Sequence, residues 1–152
     1  MRLLITGGAG FIGSHIADEA LEQGHSVSVV DDLSMGSAEN VDSRARLYTV
    51  DITDAKAVDE VFARELPEVV SHHAAQTDVR RSMADPAFDA RVNILGTINL
   101  LEASAKHDVA RFIFASTSAV YSEPEYMPMD ESHPVSPQSG YGVSKYASES
   151  YI

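Results

Sequence analysis

Thr6-Gly7-Gly8-Ala9-Gly10-Phe11-Ile12-Gly13 is the stretch that decides how this chain folds. It fits Gly7-x-x-Gly10-x-x-Gly13 and also Gly8-x-Gly10-x-x-Gly13, and it lies between an apolar run and a stretch of helical period. Glycines in that place make a tight turn between strand and helix. They let the backbone approach a pyrophosphate closely and leave the first helical N–H groups facing its negative charge. A glycine spacing alone is a weak signal, because glycine turns are common. What flanks it gives it force.

Before the loop, Arg2–Thr6 reads as a buried strand. After it, a helix is expected over about 12–23, with Ile12, Ile16 and Ala20 on one face and Gly24 as its stop. Strands follow at 26–30, 47–50, 69–72 and 111–115, with a loop over 34–46. Asp54 can cap a helix that buries Val58, Val61 and Phe62 and stops before Pro67. The polar stretch 76–85 reads as a loop, and 86–106 as one long helix that is apolar on more than one face. The proline-rich segment 124–137 is expected as an exposed loop, with a new helix starting near Ser139. Strands alternating with helices predict an α/β fold, a Rossmann-type doubly wound parallel sheet. We expect one domain over 1–152. Because Ile152 falls inside the last helix, the chain reads as truncated before a C-terminal substrate-binding domain.

Composition narrows the function. Of 152 residues, 44% are hydrophobic, enough for one packed core. Eleven basic against 23 acidic side chains give a net charge of −12, which argues against a nucleic-acid or anionic-membrane surface. There is no cysteine, so disulfides and thiolate metal sites are excluded. The opening residues are too short an apolar run, and too rich in glycine, for a signal peptide or membrane span. A soluble, cytoplasmic protein is expected.

Several side chains carry chemistry. The second strand ends in Asp31-Asp32, where an acid can accept both hydroxyls of an adenosine ribose and would repel a 2′-phosphate. That favours NAD over NADP, with Asp31 as the binding acid and Asp32 as a turn former. Asp51 and Ile52 follow the third strand, where an adenine ring could lie. Tyr141 and Lys145, at i and i+4, share one helix face. An ammonium and a positive nicotinamide ring beside Tyr141 would lower its phenol pKa and let it take a proton from a sugar hydroxyl. Ser116, Thr117 and Ser118 end the fifth strand, and one of them is expected to aim a hydroxyl at the substrate. Asn93 sits in the long helix, where it could fix a water or a loop near the site. His72 and His73, adjacent on a strand, point to opposite faces and have no third ligand, so no metal is expected. His72 reads as an orienting or packing residue, and Ala74 and Ala75 are small enough for a cofactor to approach.

Taken in order, TGGAGFIGSH, VVDDLSMG, VDITD, HHAAQTDVRRSMADP, VNILGTINLLEA, FIFASTSAVY and SGYGVSKYASE resemble the extended short-chain dehydrogenase/reductase superfamily. Within it the chain is similar to the UDP-glucose 4-epimerase family from Met1 to Ile152. The resemblance implies Gly7, Gly10, Phe11 and Ile12 at the pyrophosphate of NAD, Asp31 at the adenosine ribose, and Asp51 and Ile52 at the adenine. It implies His73, Ala74 and Ala75 along the cofactor, and Asn93, Tyr141 and Lys145 at its nicotinamide end. Alignment on Val120-Tyr121 makes Thr117 the active-site hydroxyl. Dehydrating relatives carry Asp-Glu after that position and decarboxylating ones a Glu two residues on. Ser118-Ala119 offers neither, which favours 4-epimerisation of a UDP-sugar of the glucose/galactose type, as in galactose metabolism.

The implied course is transient oxidation. Tyr141 removes the 4-hydroxyl proton as C4 gives hydride to NAD⁺, the 4-ketose turns over, and hydride returns to the other face. The runners-up are another nucleotide-sugar dehydratase, decarboxylase or reductase, and a non-catalytic NAD-binding regulator. Gly140, Ser122, Asp32 and Thr77 depart from residues common in the family. The family also implies a homodimer through the helix near Asn93 and the helix that starts near Tyr141.

Overall fold

The computed structural model describes residues 1–121 and 123–152; Ser122 lies outside them. Five parallel strands form one sheet in the order β3-β2-β1-β4-β5. They are β1 (Arg2–Thr6), β2 (Ser26–Asp31), β3 (Arg46–Thr49), β4 (Val69–His72) and β5 (Arg111–Phe114). From β1 the chain builds outward to β3, then crosses back to lay β4 against the other side of β1. The order reverses there, and a crevice opens at the carboxyl ends of β1 and β4, where open α/β sheets bind ligands.

Side chains alternate across the pleat, so each strand feeds two cores. On one face Leu4, Val30 and Val70 pack with Val58, Val61 and Phe62 of α2 (Ala55–Glu65) and with Leu100 and Ala103 of α5 (Gly96–Lys106). On the other face Ile5, Val27 and Val29 pack against Ala17 and Ala20 of α1 (Phe11–Glu22). Asp54 caps α2 as expected, its carboxylate accepting from the Ala57 amide at 3.0 Å. Among the described residues no helix is long and apolar enough to cross a membrane.

Three expectations change. Ile12 does not belong to the buried face of α1, where Gly13, Ser14, Ala17 and Ala20 lie instead. Small residues are needed there because a Cβ at Gly13 would come 2.3 Å from the Gly7 carbonyl oxygen. The stretch 76–85 is not all loop. Asp78 accepts from the amides of Arg80 and Arg81 and starts α3 (Val79–Ala84), a helix too short to show a period. The long helix over 86–106 is broken. It runs as α4 (Pro86–Ala90), a wide π turn (Arg91–Leu95) and then α5. That turn buries Asn93 between β4 and the final helix, α6 (Gly140–Tyr151).

Candidate active site

A cleft of about 590 Å³ lies at the sheet reversal. Gly7, Gly10, Phe11, Ile12, Asp31, Asp51, Ile52, His73, Ala74, Ala75, Tyr141 and Lys145 all contribute to its wall. Gly7 has φ +68°, and a Cβ on it would sit 2.6 Å from the Ala74 nitrogen, so the loop passes directly over the end of β4. Gly10 opens α1 with no side-chain cap, leaving first-turn N–H groups for an anion.

Asp31 is buried and doubly held. Its carboxylate accepts from the Ala9 amide at 3.0 Å and the Leu33 amide at 2.9 Å. It therefore ties the glycine loop to the end of β2 and keeps acceptor capacity on each oxygen. Asp32 bonds instead to the Ser34 amide and hydroxyl, at 2.9 and 2.6 Å, and so closes its own turn. The Asp51 carboxylate accepts from the Thr53 amide, while Ile52 is buried against the bare face of Gly96. Asn99, which the sequence reading passed over, steadies this corner by donating to the Ile52 carbonyl at 2.9 Å.

Asn93 does not line the cleft. It works from behind, donating to the Gln76 carbonyl at 3.0 Å and accepting from the Gln76 amide at 2.8 Å. The Asn93 amide nitrogen also lies 3.0 Å from the Ser144 hydroxyl of α6 and 3.2 Å from the buried Asp89 carboxylate, so its two N–H groups are shared among three acceptors. Gln76 donates to that same carboxylate at 2.8 Å. The knot of Gln76, Asp89, Asn93 and Ser144 joins the loop after β4 to the helix bearing Tyr141 and Lys145. Three of its members were missed in the sequence, although Asp89 and Asn93 are at i and i+4 and Ser144 is one turn beyond Tyr141.

Of the three hydroxyls after β5, Ser116 donates to Glu149 and Ser118 is exposed. Thr117 caps a short 3₁₀ turn (Ser118–Val120), its hydroxyl accepting from the Ala119 amide at 3.2 Å. Burial pushes the Tyr141 phenol above the ordinary tyrosine value; the nearby Thr117 hydroxyl pulls it down and the Asp89 charge pushes it up again. The expected lowering is thus reversed in the chain by itself, because removal of the phenolate from water outweighs the nearby hydroxyl. Lys145 is only 3% exposed, with its ammonium 4.0 Å from the centre of the Phe114 ring. Burial lowers its pKa to about 8, opposed by the carboxylates of Glu149 and Asp89.

That depression has a measurable sign. The unfolded chain holds the lysine proton up to about 10.5 and the folded chain only to about 8, so the burial cost is full below 8. It fades as pH rises between those values, and stability rises with it. Between pH 7 and 9.5 this one group should add about 2 kcal/mol to the unfolding free energy. Urea unfolding of the wild type and of Lys145→Met, compared at both pH values, should show that gain only in the wild type. Parallel curves would mean the ammonium is solvated.

A sheet reversed between β1 and β4, a glycine loop over the reversal, an acid ending β2 and a buried lysine beside a tyrosine define a Rossmann-type dinucleotide-binding fold. The chain belongs to the NAD dependent epimerase/dehydratase family, whose model matches residues 3–152. It is 43% identical to a UDP-glucose 4-epimerase of Mycolicibacterium smegmatis, over 100% of this chain and 50% of that protein. The crystal structure of a Thermotoga maritima UDP-glucose 4-epimerase with UDP-glucose superposes with a TM-score of 0.97 at 44% identity, covering 99% of this chain and 50% of that one. The Thermus thermophilus enzyme in complex with NAD gives 0.96 at 46% identity, covering 99% and 49%. The chain therefore spans about half the length of the relatives it matches.

Proposed function

We propose that this protein is the NAD-binding part of a UDP-sugar 4-epimerase that interconverts sugars of the glucose/galactose type. The observation that carries the reading is that Tyr141 and Lys145 line one edge of a cleft whose other parts suit a dinucleotide, with Thr117 near enough to the phenol to shift its pKa. The fit rests on this chain's own atoms. Gly7 leaves open the space a side chain would fill, and Asp31 keeps free acceptor capacity beside the loop. The buried Nδ1 of His73, on the cleft wall, has no hydrogen-bond partner among the described residues and suits one on a ligand.

In this reading Gly7, Gly10, Phe11 and Ile12 would hold the pyrophosphate, and Asp31 would accept from the adenosine ribose. Asp51 and Ile52 flank the adenine, with His73, Ala74 and Ala75 along the middle. When bound, NAD supplies the hydride acceptor and donor for carbon 4 of the sugar. Tyr141 takes the proton of the 4-hydroxyl and returns it. Thr117 holds the phenol in place, and the Lys145 charge favours the phenolate that the step needs. Asn93 keeps both residues in register through Ser144. Ser118 and Ala119 present no carboxylate, so nothing beside Thr117 serves elimination or decarboxylation. Further chain would supply the UDP-sugar pocket, and the protein would work in the cytoplasm. A homodimer would use the outer faces of the π turn and α6, where Leu95, Val143 and Tyr146 are exposed.

The test gives the protein, at its full natural length, UDP-galactose without added cofactor and resolves the products. UDP-glucose should form. If UDP-galactose, its N-acetyl form and UDP-uronic acids all stay unchanged, the proposal fails.

A further inference from the structure

His72 is fully buried and belongs to no part of the chemistry above. Its ring lies on the α5 side of β4, tilted against Phe114 with centroids 5.5 Å apart, and Phe114 carries the Lys145 ammonium on its ring. Both ring nitrogens are used. Nδ1 is 2.6 Å from the Thr6 hydroxyl and Nε2 is 3.0 Å from the Thr97 hydroxyl.

The direction of these bonds can be worked out. The Thr6 oxygen accepts from the backbone amides of His73 and Ala74, each at 3.2 Å. The His73 amide is shared with the Thr6 carbonyl at 3.0 Å, so the direction is fixed from the Thr97 side. The Thr97 hydroxyl gives its one proton to the Asn93 carbonyl at 2.6 Å, so toward His72 it can only accept. The ring proton therefore sits on Nε2, and in the neutral ring Nδ1 accepts from the Thr6 hydroxyl. The Ser148 hydroxyl of α6, one turn past Lys145, lies 2.9 Å from the Asn93 carbonyl and shares its proton with the Ser144 carbonyl, also at 2.9 Å. The donors thus run one way from the strand-end amides to the Asn93 carbonyl, where the helix carrying Tyr141 and Lys145 meets them from the other side.

We propose that His72 is a positioning residue, a permanently neutral imidazole protonated on Nε2 that ties the cleft-lining end of β4 to the π turn and so to the seat of the Tyr141–Lys145 helix. A charged ring would place an N–H against the Thr6 proton and break the sequence of donors. It would also set a cation beneath Phe114, opposite the Lys145 ammonium. Consistent with this, burial first, and then the Lys145 and His73 charges, lower the His72 pKa to about 3. The consequence for turnover rests on the epimerase reading; the protonation state does not.

Two substitutions cut the relay on different sides. In His72→Asn the amide oxygen can replace the Nδ1 acceptor for Thr6, but nothing reaches Thr97. In His72→Gln the amide nitrogen can replace the Nε2 donor, but Thr6 loses its acceptor. Each leaves one buried group unpaired, a defect that corresponds to about tenfold in the property it supports. His72→Asn should keep NAD affinity and lower kcat about tenfold, as should Thr97→Val, which cuts the same link from α5. His72→Gln should weaken NAD binding about tenfold with a smaller effect on kcat.

The deciding measurement is nitrogen NMR of the protein at full natural length with ¹⁵N-histidine, the His72 signals being those lost in His72→Gln. One ring should keep the Nε2–H pattern unchanged from pH 5.5 to 9. A His72 ring that titrates in that range, or that carries its proton on Nδ1, overturns the proposal. So does an equal loss of NAD affinity and kcat in all three variants in step with their melting temperatures, which would make His72 a packing residue only. If no UDP-sugar turns over, the epimerase reading falls, while the NMR pattern and NAD affinities still decide the role of His72.

Discussion

Replacing Tyr141 with Phe should lower kcat about a thousandfold, within the range usual for losing a positioned acid–base group. NAD should remain bound within a few-fold of its wild-type affinity. The ring of Tyr141 is half-buried and its neighbours on α6 are held by Asn93 and Ser139, so Phe keeps the shape of the wall. What disappears is the phenol hydroxyl on the cleft wall. Below its raised pKa the phenol is neutral in the folded and the unfolded chain alike, so the shift adds nothing near pH 7, and Phe should leave folding stability within about 1 kcal/mol of the wild type. The chain has no tryptophan, so titration calorimetry suits the NAD measurement and product analysis the rate. Turnover near the wild-type rate would mean that another group moves the proton. A loss of NAD affinity that matched the loss in kcat would instead make Tyr141 part of the binding wall.

Much of this site could be read from the sequence, for a local reason. The glycine loop, the strands and the Asp54 cap all depend on residues within a few positions of one another, and period and turn chemistry report them. The split between Asp31 and Asp32 depends partly on strand alternation, which turns one inward and the other out. What could not be read depends on segments far apart in the chain. The inward turn of Asn93 needs the π turn, and that turn shows its purpose only when Gln76 and Ser144 arrive beside it. Ile12 fits a helical stripe, yet stays exposed because the close approach of Gly13 to Gly7 sets the roll of α1. The Tyr141 phenol moved against expectation because its pKa sums the loss of solvent from every side, while the motif shows only one neighbour. His72 read as an orienting or packing residue at the strand end, with no partner named, because Thr6 and Thr97 lie 66 and 25 positions away.

Gly7→Ala should be among the most damaging small changes in the chain, and two other glycines show why. Gly24 has φ +79° with nothing within 4 Å of a new Cβ. Alanine there meets only the left-handed backbone penalty, about 1–2 kcal/mol. Gly10 has an ordinary φ of −85°, and its Cβ would meet only the Gly7 carbonyl at 3.2 Å. Gly10→Ala should therefore change stability by less than about 1 kcal/mol, while in the proposed reading its methyl group would stand where the backbone has to come close to a pyrophosphate. Its NAD affinity should fall at least about tenfold with the fold intact. Gly7 combines both costs. Its φ is +68°, and the new carbon would lie 2.6 Å from the Ala74 nitrogen and 2.7 Å from the His73 carbonyl carbon, atoms of a strand end that cannot swing aside. Adding strain of about 1–3 kcal/mol to the backbone penalty gives a loss of roughly 2–5 kcal/mol, a large part of what a domain of this size possesses. Urea unfolding of the three variants should rank them Gly7→Ala far below Gly24→Ala, with Gly10→Ala nearest the wild type. NAD titration should put Gly24→Ala at wild-type affinity and Gly10→Ala well below it. If Gly7→Ala proved as stable as Gly24→Ala, the loop would not be pressed against β4, and the cleft would lose the contact that shapes its floor.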